Sequence, residues 1–228
     1  MDKVGKHTLE VMKAANWYNT WLFDLMKEHI SGEILEVGTG IGNFTKLLSS
    51  RGKVTGIDIN QKYINILKKD KHKNIVVGYG DIEKGKYYFN NKLFDSIICL
   101  NVLEHIDKDK TALKNMFNML NISGKLILLV PSHRLLLSEF DTLLGHLRRY
   151  SKSNLYDKLD SVGFKDVNIR YINWWAAIGW FIFVKLLGRT KIPKNEVGIF
   201  NTFGKFMLWP EKFMNPPFGL SILAVAKK

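Results

Sequence analysis

Glu36-Val37-Gly38-Thr39-Gly40-Ile41-Gly42-Asn43 decides the fold of this chain. It grows out of a short apolar run, Ile34-Leu35-Glu36-Val37, that reads as a buried strand, and it leads into a segment from Asn43 to Ser50 that reads as a helix. Glycines at such a strand-to-helix turn let the backbone bend sharply and let a ligand come close, because no Cβ intervenes. Open α/β sheets take their ligands there, at the carboxyl ends of the strands. A nicotinamide-binding turn reads GxGxxG; here Asn43 stands where the third glycine is needed. The pattern is therefore GxGxG, preceded two residues earlier by an acid, and a nicotinamide dehydrogenase is disfavoured.

The same alternation extends outward from the turn. Before it, Leu9, Met12, Trp17, Trp21, Leu22, Leu25 and Met26 recur at helical spacing between Thr8 and His29, and Ser31-Gly32 stops the run. After it, strands are predicted over 54–59, 75–77, 94–100, 125–130, 164–171 and 220–226, and helices over 61–69, 112–120 and 152–162. Asn121-Ile122-Ser123-Gly124 reads as a turn. Strands alternating with helices predict an α/β doubly wound, Rossmann-like, seven-stranded, mostly parallel sheet with helices on both faces. One domain over residues 1–228 is expected, with an N-terminal helix over 8–30 and an aromatic-rich insertion over 173–218 before the last strand.

Composition bounds the rest. With 228 residues, 46% of them apolar and 24% charged, the chain can bury a sizeable core and is not disordered. One cysteine, Cys99, excludes a disulfide scaffold, fits a reducing compartment and reads as core within its apolar run. The net charge is +13, a field that attracts phosphate, nucleic acid or an anionic membrane surface. Only Arg51, Arg134, Arg148, Arg149, Arg170 and Arg189 are arginines; the other basic residues are lysines scattered along the chain, which a habitual solvated surface explains equally well. Met1 to Glu10 carry no apolar stretch of a secretory signal, and the apolar run from Trp174 to Leu187 is interrupted by Lys185 and shorter than the roughly 20 residues of a spanning helix. A cytoplasmic chain is expected, with contact at the inner membrane surface as one use of its basic, aromatic segments.

Two acids follow the glycine turn. Asp58 closes the second strand in Gly56-Ile57-Asp58-Ile59, where an ionised carboxylate can accept both hydrogen bonds of a ribose diol, or cap the next helix. Asp81 follows Gly80 and precedes Ile82 in a glycine-rich turn.

In this order, over roughly residues 8 to 171, these residues resemble the motifs of class I S-adenosylmethionine (SAM)-dependent methyltransferases, of the methyltransferase type 11/12-like kind. The resemblance implies SAM as cofactor and S-adenosyl-L-homocysteine as product. It places Gly38, Thr39, Gly40 and Gly42 around the methionine end of SAM, with Glu36 supporting the loop or the amino group. It gives Asp58 to the ribose, Asp81 and Ile82 to the adenine, and Asn101 and Val102, in Asn101-Val102-Leu103-Glu104-His105-Ile106, to the methionine side, with Ile59 a further cofactor contact. Asn101 stands where a further acid ligand would be needed, so no metal is expected. Ser123-Gly124 takes the place of a structural glycine turn before the fifth strand.

Cofactor motifs do not identify the acceptor site, because SAM chemistry needs a base only where the acceptor loses a proton. Ser132-His133-Arg134, Glu139-Phe140-Asp141 and Gly145-His146-Leu147-Arg148-Arg149-Tyr150-Ser151 resemble the GHxRRYS segment of a methyltransferase subgroup often encoded beside glycosyltransferases. His146 and His133 are candidate bases, and Asp141, Arg148, Arg149 and Tyr150 candidate acceptor contacts, with the arginines gripping a phosphate or carboxylate. A loop stapled by Asp–Arg and Tyr contacts is the alternative. In Tyr18-Asn19-Thr20-Trp21, Tyr18 is the expected cofactor contact of a lid helix; a core helix is the alternative. The insertion suits a membrane surface, a cap over an apolar acceptor, or a core extension or subunit interface. Asn215-Pro216-Pro217-Phe218 imitates the NPPF motif of amino-methylating enzymes but lies before the last strand, so it reads as a turn.

The expected function is methyl transfer by in-line displacement to a small-molecule or lipid-linked, anionic acceptor. An RNA methyltransferase using the basic surface is one rival, although no RNA-binding module is visible; a non-catalytic SAM-binding partner protein is the other.

Overall fold

The computed structural model describes residues 16–70, 72–187, 204 and 206–228. Helix α1 (Asn16–Met26) runs into a 3₁₀ turn (Lys27–His29) and then β1 (Gly32–Val37). The glycine turn leads to α2 (Thr45–Leu48), β2 (Gly52–Asp58), α3 (Gln61–Lys69) and β3 (Ile75–Asp81). A two-residue strand β4 (Lys86–Tyr87), β5 (Phe94–Leu100), α4 (Asp109–Met119) and β6 (Leu120–Pro131) follow. The chain continues through α5 (Glu139–Leu144), α6 (Lys152–Val162), β7 (Lys165–Ile172), α7 (Trp174–Gly179), a π-helical turn (Trp180–Leu186) and β8 (Ser221–Lys227).

The strands form one sheet in the order β4-β3-β2-β1-β5-β6-β8-β7. The central strands are parallel; β8 enters antiparallel between β6 and β7, and β4 pairs antiparallel with β3. Eight strands replace the expected seven because the hairpin Gly80↔Tyr87, Asp81↔Lys86 folds back on the β3 edge, and a two-residue strand leaves no periodic signature. Apolar clusters cover both faces. One holds Leu35, Cys99, Leu113, Leu128, Leu155 and Phe164; the other holds Trp21, Leu22, Met26, Ile34, Ile98 and Leu129. Cys99 is core, as its apolar run predicts, and burial pushes its thiol up.

The chain order runs outward from β1 to β3, then reverses from β5 to β6, so the switch point lies between the carboxyl ends of β1 and β5. The glycine turn and Asn101-Val102 meet there. The predicted helix at 43–50 is only Thr45–Leu48, since Gly38, Gly40 and Gly42 all take left-handed φ and the chain turns until residue 44. The 121–124 turn lies inside β6 as a bulge: Phe94 pairs with Leu120, then Ser96 with Lys125, with Ser123 at φ 65°. Residues 8–15 of the expected lid helix, and 188–203 and 205 of the insertion, lie outside the described residues.

Candidate active site

Three backbone N–H groups of the glycine turn are held by the end of β2. Gly38 N–H and Thr39 N–H donate to Ile57 O at 2.8 and 3.2 Å, and Gly40 N–H donates to Asp58 Oδ2 at 2.8 Å. Asp58 Oδ1 accepts from Asn60 N–H at 2.7 Å, and Asn60 in turn caps α3 by accepting from Lys62 N–H. Asp58 thus braces the glycine turn, and the cap of α3 expected of it is supplied instead by Asn60. Burial raises its carboxyl despite those backbone bonds. Beside it Ile59 is 70% exposed, an apolar face at the strand end that suits a flat ring.

Two features test whether SAM fits. A Cβ on Gly38 would run into Val102 Cγ2, so the backbone lies open only because this residue is glycine. Glu36 and Thr39 are buried, yet Glu36 Oε2 and Thr39 Oγ1 have no hydrogen-bond partner among the described residues. Burial pushes Glu36 up to about 8, with the Thr45 hydroxyl opposing and the Asp58 charge assisting the shift. Burial favours its neutral form, and a cationic group alongside would favour the charged one. Unsatisfied polar groups beside an open glycine backbone fit a polar, cationic ligand. Gly38→Ala is expected to cost about 1–3 kcal/mol, from overpacking and φ +76° together. Adding Val102→Ala removes the clash but not the strain, so the urea midpoint of the double variant should recover only part of that loss.

The remaining cofactor candidates surround the same edge. Asn101, at φ 53°, anchors its N–H on Leu129 O at 2.8 Å and leaves its side chain exposed. Asp81 Oδ1 accepts from Lys84 N–H at 3.0 Å, and Lys84 Nζ lies 3.3 Å from Oδ2. Ile82 is buried beneath it.

Tyr18 departs from the lid role. Its ring is buried against Trp21, centroids 5.5 Å apart, and its hydroxyl accepts from Asn173 Nδ2 at 2.7 Å. Burial pushes the phenol up to about 12. Asn173, at the carboxyl end of β7 and with φ 63°, was not singled out from the sequence. Its N–H and that of Trp174 donate to the buried Glu211 carboxylate at 2.8 and 3.0 Å. Arg170 holds Glu211 O from the other side.

The GHxRRYS segment is also internal. Asp141 is fully buried and accepts from Ser138 N–H and Oγ–H, from Arg149 Nε and Nη2, and lies 2.9 Å from His146 Nδ1. Arg149 also donates to Ser132 O at 3.2 Å and lies over the Trp180 ring at 4.9 Å. Tyr150 is buried and donates to Asp109 Oδ2 at 3.0 Å. Arg148 reaches Asp109 at 3.0 Å and Asp107 O at 3.1 Å. The expected arginine grip on an anion is therefore corrected: Arg149 and Asp141 satisfy each other inside the protein, the Tyr150 hydroxyl is held by Asp109, and Arg148 is paired with Asp109. His146 sits between Asp141 and Glu104, its Nε2 3.9 Å from Glu104 Oε1, rather than facing an open acceptor cleft. Glu104, fully buried and pushed by burial up to about 7 against the pull of His146, lies in the phrase that the sequence reading sets aside as a metal site because of Asn101. The signal was a lone acid inside the apolar phrase Leu103-Glu104-His105-Ile106.

His133 is placed differently. It follows β6 by two residues, at φ 56°, stacks on Tyr171 at 4.8 Å, and its Nε2 has no hydrogen-bond partner among the described residues. Burial and then the Arg149 charge hold its pKa below the usual histidine value.

Residues 35–128 match the methyltransferase domain family. Over 104 residues the chain is 30% identical to the ubiquinone/menaquinone biosynthesis C-methyltransferase UbiE of Wigglesworthia glossinidia brevipalpis, covering 42% of each chain, so well under two thirds of that protein is spanned. The fold resembles Haemonchus contortus phosphoethanolamine N-methyltransferase 2 in complex with SAM (TM-score 0.64, 17% identity, 92% of this chain and 52% of that one). It also resembles a SAM-dependent methyltransferase of Thermotoga maritima over 100% of both chains (TM-score 0.64, 16% identity). The span of the family match lies on the part of the sheet whose switch point carries the glycine turn and its bracing acid, so residues 35–128 are similar to a methyltransferase domain.

Proposed function

We propose that the protein transfers the methyl group of SAM to a lipid-linked or similarly amphiphilic small acceptor at the carboxyl ends of β6 and β7. One observation carries the acceptor class. The segment after β7 exposes Phe181, Ile182, Phe183 and Leu186, and the chain entering β8 exposes Phe206, Trp209 and Phe213. Trp180 Nε1 donates to Leu136 O at 3.2 Å and Lys185 Nζ to Leu137 O at 2.8 Å, which ties this apolar face to the loop after β6. Exposed aromatics among lysines, on a chain of net charge +13, suit an amphiphile presented at an anionic surface. No helix among the described residues is long and apolar enough to cross a membrane.

SAM supplies an electrophilic methyl on a sulfonium, so the chain's residues have to hold the nucleophile in line and keep water out. Where the acceptor is a hydroxyl or ammonium, its proton passes to His133 Nε2, leaving an imidazolium. Low basicity keeps that nitrogen unprotonated at neutral pH. His133→Ala should lower kcat by about 10²–10⁴. In the wild type kcat should fall as pH drops through a value below the usual histidine pKa of about 6.5; an unchanged profile in the variant would remove His133 from the reaction.

The acceptor class is tested by incubating methyl-labelled SAM with the protein and a cell extract, then partitioning the products. Label in the organic phase is expected. Label confined to the aqueous phase would contradict the amphiphile, pointing to a soluble metabolite, or to RNA if nuclease releases it.

A further inference from the structure

Glu104, His105 and His146 converge beside the carboxyl end of β5. The first two lie in the 3₁₀ turn after that strand; His146 arrives from the loop after α5. One donor atom from each lies within 4.8 Å of the others. The two imidazole rings meet edge to face, with centroids 4.8 Å apart.

Three observations point to a cation at this cluster. Glu104 is 0% exposed, and neither carboxylate oxygen has a hydrogen-bond partner among the described residues. A buried carboxylate in that state calls for a cation or a proton. His146 Nδ1 is fixed at 2.9 Å by Asp141, itself clamped by Arg149, which turns Nε2 towards Glu104. His105 Nδ1 lies 3.1 Å from Gly145 O; a carbonyl only accepts, so Nδ1 carries the hydrogen and Nε2 the lone pair. A carboxylate or carbonyl on the far nitrogen of each imidazole is the outer support that histidine metal ligands use.

We propose that Glu104, His105 and His146 bind one divalent transition cation. Two imidazoles and one carboxylate favour Zn²⁺, Co²⁺ or Fe²⁺ over Mg²⁺ and Ca²⁺, which take oxygen ligands. Ligands at about 2.0–2.2 Å from such an ion sit roughly 3.4 Å apart, so the three side chains draw in by about an ångström on binding. The exposed His105 is the entry side. Three protein ligands leave a coordination position open to water or another oxygen. His146, supplied from a distant loop, completes a set that the sequence phrase alone, with Asn101 in place of an acid, did not suggest.

The test strips the full-length protein of metal and titrates it with Co²⁺ by visible absorption and with Zn²⁺ by calorimetry. One ion per chain is expected. His105→Ala, a surface change that should leave folding intact, and His146→Gln should each weaken binding at least 10-fold, while the distant His72→Ala should not. Absent saturable binding, or binding that survives both His105→Ala and His146→Gln, would overturn the proposal. SAM binding measured on the metal-free protein reports separately on the cofactor site.

Discussion

Asp58→Ala is expected to weaken SAM binding by at least about 100-fold, or about 2.7 kcal/mol. The size follows from what Asp58 does without ligand: one oxygen holds Gly40 N–H, the other Asn60 N–H. Hydrogen bonds to a charged acceptor contribute about 1.5–3 kcal/mol each, and their loss frees the glycine turn as well as the proposed ribose contact. Gly40→Arg should have the same outcome by a different route, since Gly40 has φ +52° and a long side chain there occupies the ligand's approach. Circular dichroism separates lost binding from lost folding. Wild-type affinity in both variants would contradict the cofactor site.

Asp141→Ala should be the most destabilising single change, by about 3–5 kcal/mol, because it leaves the Arg149 guanidinium buried without its partner. A pH dependence accompanies it. Burial alone would raise the Asp141 carboxyl, but hydrogen bonds from His146 and Ser138 and the Arg149 charge outweigh it and hold the pKa below the ordinary value. A carboxylate depressed on folding stabilises above its unfolded pKa of about 3.9, and that stability is lost as pH falls through the lower folded value. Urea midpoints should therefore converge between wild type and Asp141→Ala in strong acid and separate towards neutrality. Parallel curves would show that Asp141 contributes no titrating interaction.

The fold was legible wherever local pattern and tertiary role agree. Apolar runs such as Ile34-Leu35 and Ile97-Ile98-Cys99 can only be buried strands of a covered sheet, and Gly38, Gly40 and Gly42 announce their own backbone conformation. The helix ends were less legible at 43–50, because glycine φ values continue the turn past the point where side-chain periodicity starts. In the site, strand-end acids were readable since the fold fixes where strands end. The 146–150 segment left two readings open, an anion grip and a stapled loop, and the second holds because Arg149 is enclosed by Asp141, Ser132 and Trp180, none adjacent to it in sequence. Tyr18 illustrates the same limit, as its hydroxyl partner Asn173 lies 155 residues away. Glu104 was set aside on the absence of an acid at Asn101, because sequence does not show that His146 comes to its side from another loop.

The central claim is that this chain binds SAM and passes on its methyl group. The most direct measurement follows conversion of methyl-labelled SAM to S-adenosyl-L-homocysteine by full-length protein supplied with a cell extract, with Asp58→Ala as the matched control. The account predicts label transfer and S-adenosyl-L-homocysteine formation well above the control. No conversion beyond Asp58→Ala, across extracts from soluble and membrane fractions, would contradict it.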